Sequence, residues 1–347
     1  MALRTLMKPR GRTDTMPGPT PDNGMRGSGA HHPPSRWWYL SLLGGVCLIS
    51  TSAVLVTIAG VAPTISAFYR NFFAAILWLP ILLLCRPAAL RFPASSSLLP
   101  HAASHLAVSK ACGRFLLLSP AMLISLLGLT FACDLWAWHR AIIRLGAGPA
   151  TLMGNLQVLV VSLLAVCLFG ERLRRGYWLG CLLALTGIAM LTLGGVIGKQ
   201  VVSGMVYGLL TAVSYSIFLI VLKLLGQYET MAEQTLFWVA CLSALVLAAM
   251  AWAEGRSLLL PAGPAGGWLL LHAFLSSVAG WWLIVRAMGQ LPVSITSTLL
   301  LLQPLLTSVW GWIFLGQRLS GVQVAGIVTA LVGIRLANPA PLRPRAR

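Results

Sequence analysis

The chain has 347 residues, of which 58% are hydrophobic and only 9% charged, and its mean hydropathy is +0.84. A water-soluble globule carries roughly 25% charged residues, so this composition excludes a soluble domain and makes lipid the solvent. The formal net charge of +18 comes from 25 Lys and Arg against 7 Asp and Glu. Those basic residues sit mainly in tails and loops between apolar runs, a pattern that orients a membrane protein and argues against a nucleic-acid binder.

Residues 1–36 are rich in Gly, Pro and Arg and contain no apolar run. They read as a disordered basic N-terminal tail, and the missing h-region argues against a signal peptide. From Trp37 onward the chain alternates apolar runs near the roughly 20 residues that a bilayer-crossing helix needs. The predicted spans are 37–60, 63–84, 117–139, 148–169, 176–197, 203–224, 232–253, 267–288, 294–315 and 321–337. An all-α integral membrane fold of about ten transmembrane helices follows, since each helix satisfies its own backbone in hydrocarbon.

Trp37, Trp38 and Tyr39 open the first span as an interfacial anchor, and Pro- or Gly-containing turns such as Ala62-Pro63 and Pro261–Gly267 separate later ones. The long internal loop, about 86–115, is expected in the cytoplasm, and 338–347 is a basic C-terminal tail. With the N-terminus inside, nineteen Lys and Arg fall on the inner side and five on the outer, with Arg70 within a span. Both termini are therefore expected to be cytoplasmic. The seven cysteines form no CxxC pair, which supports neither a zinc site nor a disulfide framework.

A repeat runs through this pattern at an offset of 146 residues. Leu168-Phe169-Gly170-Glu171-Arg172-Leu173 returns as Phe314-Leu315-Gly316-Gln317-Arg318-Leu319. The same shift carries Trp136 to Trp282, Arg140-Ala141 to Arg286-Ala287, Gln157 to Gln303, Gly180 to Gly326 and Gly187 to Gly333. Spans three to five thus correspond to spans eight to ten. A shift of five spans is odd, so the second copy lies upside down relative to the first, the arrangement found in secondary transporters. The expected organisation is two inverted five-helix repeats, 37–197 and 203–337.

These residues resemble the EamA-type ten-helix family of the drug/metabolite transporter superfamily. The resemblance rests on the helix ending in Gly170-Glu171-Arg172-Leu173 with Gly180 and Gly187 beyond it, on its copy, on Asp134-Leu135-Trp136-Ala137-Trp138, and on Ala67-Phe68-Tyr69-Arg70. It covers about residues 37–337. Gln317 stands where the second acidic residue is usual, and Val158 replaces a proline that Pro304 keeps in the second half. Membership implies a proton-coupled or exchanging carrier of amino acids or related solutes, often an exporter, in a bacterial inner membrane. The partners it implies are lipid, a small-molecule substrate, protons and a second copy of the chain.

Of the seven acids only Asp134 lies well within a span. A charge at that depth costs roughly 2.5–3.5 kcal/mol on insertion scales and normally faces a cavity or a partner. Arg70 and Asp134 are both expected about 8–11 Å below the outer surface, at about 1.5 Å per residue, where they can meet. The functional reading puts both on the substrate cavity, with Asp134 binding a proton or a cationic group. The plainer reading is a permanent ion pair between two helices.

Trp138, four residues on, shares the face of Asp134. Asn155, Gln157 and Gln303 are amides suited to a zwitterion, or else helix–helix hydrogen bonds, and Tyr215 is a further wall residue. His139 is expected near the outer interface and His272 near the start of span eight. A membrane enzyme would need clustered acids, histidines or an activated nucleophile, and a channel would need a charged ring or filter loop; neither pattern occurs. No metal set, cofactor motif or GxxxxGK[ST] sequence is found, so the expectation is a secondary transporter and not an enzyme, with a non-transporting scaffold as the other alternative.

Overall fold

The computed structural model describes residues 36–85, 119–145, 150, 153–192, 201–226, 231–260, 263–316 and 320–337. The expected tails and the expected loop at 86–115 lie outside the described residues. Within the described residues every regular element is helical. In chain order they are α1 Arg36–Ala59, α2 Pro63–Cys85, α3 Pro120–Leu145, α4 Met153–Phe169, α5 Arg175–Thr192 and α6 Val201–Leu225. Then come α7 Ala232–Ala253, α8 Ala265–Gln290, α9 Val293–Phe314 and α10 Gly321–Ala337. Seven of these, α1 to α3 and α6 to α9, are long and apolar enough to cross a membrane, and α4 and α10 are shorter apolar helices.

Burial runs opposite to that of a soluble globule. Leu84 is 85% exposed and Trp252 80%, and Leu179, Leu182 and Leu245 also stand outward, while Arg70, Asn71, Asp134, Ser162 and Thr298 are buried. An apolar exterior of this extent is stable only against lipid. The main core lies among α1, α2, α3, α6, α7 and α8, around Phe131, Phe218 and Trp281. A second joins α4 and α5 to α9 and α10 through Val158, Ile188, Leu305 and Ile334.

Four helices are interrupted. α1 breaks at Thr51, where the Ser50 and Thr51 hydroxyls donate to the carbonyls of Cys47 at 2.6 Å and Leu48 at 2.7 Å, a local competition with the helical ladder. α4 turns at Leu156 and α9 at Leu300–Leu301. In α9 the cause is Pro304, which has no N–H to give the Leu300 carbonyl; the Gln303 N–H takes it instead at 3.0 Å. α4 makes its turn with Val158 at the corresponding place, so a proline is not required. α8 is a π-helix over Ala273–Gly280.

Glycine governs the two ends of the repeat motif. α4 and α9 each stop on a left-handed glycine, Gly170 at φ 65° and Gly316 at φ 64°, a conformation glycine adopts without penalty. α5 then packs along α10. A Cβ on Gly180 would meet Ala337 N at 2.4 Å, and one on Gly187 would meet Ala330 N at 2.4 Å. As α5 advances by seven residues its partner on α10 retreats by seven, so the two helices run antiparallel with backbones in contact, the approach that small residues permit in lipid. Nothing lies within 4 Å of a Cβ on Gly176, so that glycine, four residues before Gly180, takes no part in this contact.

One boundary needs correction. α3 continues to Leu145 where the sequence suggested an end near 139, because His139, Arg140 and Arg144 find partners on the helix instead of starting a loop. Asp134 therefore lies eleven residues from the end of α3, about 16 Å along the axis.

Candidate functional site

α3 carries Phe131, Asp134, Leu135 and Trp138 at the i, i+3, i+4, i+7 spacing that places side chains in one stripe, and all four line a single cavity. Arg70 reaches it from α2, Asn155 from α4, Thr211 and Tyr215 from α6, Trp281 from α8 and Gln303 from α9. Its volume is about 80 Å³, space for several waters on a scale where one needs roughly 10–15 Å³. Six of the seven residues singled out in the sequence thus converge. Gln157 does not: it is buried, and its side-chain amide donates to the Ser297 carbonyl at 3.3 Å. Two residues on from Asn155, it is turned about 200° around the helix, so the two cannot face one cavity.

Arg70 and Asp134 are 5% and 7% exposed, but they do not form the ion pair considered from sequence. Among the described residues the salt bridges are Arg140–Glu254 and Arg286–Glu233. Arg70 Nε donates to Ser277 Oγ at 2.9 Å, and its guanidinium stands over the Phe131 ring, 5.5 Å from the centroid. No hydrogen bond or salt bridge from a described residue reaches the Asp134 carboxylate. Ser277 and its neighbour Ser276, whose hydroxyl lies 2.9 Å from that of Ser52, both belong to the π-helical stretch. A π-bulge often marks a functional site, and here it aims two successive serines at α1 and α2.

Two of the lining residues, Phe131 and Trp281, belong to an aromatic cluster. Phe131 stacks on Phe218 with centroids 4.8 Å apart, and Trp281 meets Phe218 edge-on at 5.2 Å. The two histidines are more deeply placed than the sequence suggested. His139 is buried with Nδ1 2.6 Å from the Leu135 carbonyl, and His272 is buried within α8.

Sequence reasoning missed a pair of clamps. On α3, Arg140 lies over the Trp136 ring at 4.2 Å, and both donate to Glu254, Trp136 Nε1 at 2.9 Å; Thr64 Oγ1 adds a bond at 3.0 Å. On α8, Arg286 lies over the Trp282 ring at 4.3 Å, and both donate to Glu233, at 2.8 and 2.7 Å. The carboxylates sit at the two ends of α7. Burial works against Glu254, yet the Trp136 and Thr64 hydrogen bonds and the Arg140 charge hold its carboxyl below the ordinary range. The signal was present as a doubled Trp-x-x-x-Arg, whose spacing puts ring and cation on one face, but no repeat relation linked it to the acids.

Comparison with known proteins places this arrangement. Residues 202–338 match the EamA-like transporter family. An uncharacterized transporter of Bacillus subtilis (strain 168), YwfM, is 25% identical over 205 residues, which cover 59% of this chain and 65% of the relative. Both likenesses are to transporters, and the family match covers the C-terminal part of this chain. A solved crystal structure superposes with a TM-score of 0.68 over 88% of this chain and 97% of its own, at 18% identity, a likeness of fold. The matched region supplies Tyr215, Trp281 and Gln303 to the cavity, while Arg70, Asp134, Trp138 and Asn155 come from the helices before it.

Proposed function

We propose that this EamA-like chain is a secondary transporter that moves a small zwitterionic metabolite, an amino acid or a near relative, by alternating access. Its direction is efflux, driven by protons or by exchange. The observation that carries this reading is that Arg70 and Asp134 share one buried cavity without bonding to each other. Opposite charges held apart in a low-dielectric site are costly and match a ligand that carries both an ammonium and a carboxylate. Asp134 takes the ammonium or a proton, and Arg70 the carboxylate. Asn155 and Gln303 recognise the remaining polar atoms, while Trp138, Tyr215, Phe131 and Trp281 face its apolar part.

The architecture we propose is ten membrane-crossing helices in two inverted units, 37–197 and 203–337, with both termini in the cytoplasm of a bacterial inner membrane. The packing supports it. α5 meets α10 antiparallel, each glycine opposite the repeat mate of the other; α2 packs on α7; and α3 lies against α6 as α8 lies against α1. These pairs exchange or map onto themselves when each helix is replaced by the one five places away.

The test is flux. Metabolite profiles of deletion and overexpressing cells nominate cargo, and purified protein in liposomes is then assayed with and without a pH gradient. Counterflow or gradient-driven movement of an amino-acid-like solute is the expected result. Absence of movement under every gradient removes the proposal.

A further inference from the structure

The Gly-Glu-Arg-Leu motif takes no part in the cavity, yet its acid is engaged. Glu171, just beyond α4, accepts a hydrogen bond from the backbone N–H of Val293 at 3.1 Å and another from the Ser294 hydroxyl. Both belong to the first turn of α9, where free N–H groups and the helix dipole favour an anion. Two more side chains hold the same turn. Lys223 of α6 donates to the carbonyls of Met288 and Leu291 at 2.8 Å each, at the end of α8. Tyr177 of α5 donates to the Ser294 carbonyl at 3.2 Å, and its oxygen lies 2.9 Å from Thr298 Oγ1 and 2.6 Å from Ser162 Oγ. Three helices or loops of one chain region thus grip the α8–α9 turn with an anion, a cation and a phenol.

This grip lies away from the cavity, whose lining includes none of these residues. Ser294 precedes the cavity residue Gln303 by nine positions on α9, and Lys223 follows Tyr215 by eight on α6, each about 12–14 Å along a helix. Phe218 lies between Tyr215 and Lys223 on α6 and packs against Phe131 and Trp281. The repeat-related positions carry different chemistry. Gln317 corresponds to Glu171. Gln323 corresponds to Tyr177 and turns back to accept the Ser320 N–H of its own helix start at 2.8 Å. No Lys or Arg occurs in α1 between Trp37 and Ala59, the helix five places from α6.

We propose that Glu171, with Tyr177 and Lys223, is the positioning residue of the cytoplasmic gate: its carboxylate pins the α8–α9 turn and keeps the inward path shut. The proposal rests on the alternating-access reading and on its orientation. Opening inward requires the α9 N-terminus to leave Glu171, so loss of the charge biases the chain toward the inward-open form. A carboxylate that only braced the fold would change melting but not the sidedness of access.

Cys181 provides the readout, because it is fully buried beside Tyr177 and Thr298. In full-length protein whose other six cysteines are replaced, a membrane-impermeant maleimide is applied from the cytoplasmic side of inverted vesicles. Glu171→Gln is expected to label Cys181 about tenfold faster than the parent, the scale of losing one charge-assisted hydrogen bond, and Glu171→Asp is expected to restore slow labelling. Should Glu171→Gln fail to fold, Ser294→Ala removes one donor and is expected to accelerate labelling in the same direction. Parental labelling rates in a folded Glu171→Gln or Ser294→Ala protein overturn the proposal. The readout needs no cargo, so a chain that labels as expected but moves no solute defeats the transport reading and leaves the gate standing.

Discussion

Asp134 and Glu254 are both acids on the path between α3 and α7, yet their surroundings give them different tasks. Glu254 receives Trp136, Thr64 and Arg140, whereas Asp134 faces a cavity and no donor to it is found among the described residues. Replacing Asp134 by Asn keeps the shape and removes the charge. The expected loss is about tenfold to a hundredfold in transport, matching the roughly 1.5–3 kcal/mol of a hydrogen bond to a charged group, with little change in melting temperature. Unchanged flux at normal expression would remove Asp134 from the mechanism. For Glu254 the sign of the pH effect follows from its lowered carboxyl. Its contribution to stability is complete above the ordinary glutamate value of about 4.3 and is lost as pH falls through the lower folded value. Detergent-solubilised protein is expected to melt at a constant temperature from about pH 7 to 5 and to destabilise below that, whereas Glu254→Gln flattens the acid limb. An identical acid limb in both proteins would show that the Arg140 clamp plays no part in it.

At the scale of single helices, apolar length was the most readable property, because hydrocarbon allows no other way to satisfy a backbone. Spans two, seven and ten agree with the sequence reading almost to the residue. Helix ends defined by charge were less readable: α3 outran its apolar stretch because Arg140 and Arg144 lie over aromatic rings at 4.2 and 4.5 Å. The break in α4 at Leu156 carries no proline signal, and the π-helical stretch of α8 leaves no mark in composition. The glycines of α5 look alike in sequence, yet Gly180 and Gly187 meet the α10 backbone and Gly176 does not. That difference is measurable. Gly187→Val drives a side chain against the α10 backbone, which cannot swing aside as a flexible side chain would, at a cost of about 1–3 kcal/mol for overpacking. Gly176→Val on the same helix meets open space. The first is expected to lower the melting midpoint in detergent by several degrees and the second to leave it in place. Equal effects would mean that α5 and α10 do not rely on this contact.

For the whole molecule, the offset of 146 residues carried more information than any single motif. It marked Trp136 and Arg140 with their copies, and Gly170, Gly180 and Gly187 with theirs. It could not supply Glu233 and Glu254, which belong to the one helix α7 and have no partner by repetition, and it treated Gln157 and Gln303 as equivalent although only Gln303 reaches the cavity. A repeat relates backbones, and side-chain roles diverge once each half packs against different neighbours. The relation does have one consequence that sequence drift cannot change. Because α5 and α10 are antiparallel, the start of α5 lies beside the end of α10, so the loop before α5 and the residue before α10 belong to opposite ends of the bundle. Single cysteines at Arg174 and Ser320, both exposed, are therefore expected to react from opposite sides of the membrane: Arg174→Cys in inverted vesicles and Ser320→Cys in intact spheroplasts. Labelling of both from the same side would mean that the two halves are parallel. A carrier built from parallel halves cannot exchange its inner and outer faces by swapping the conformations of its repeats, and alternating access in the form proposed here would fail with that result.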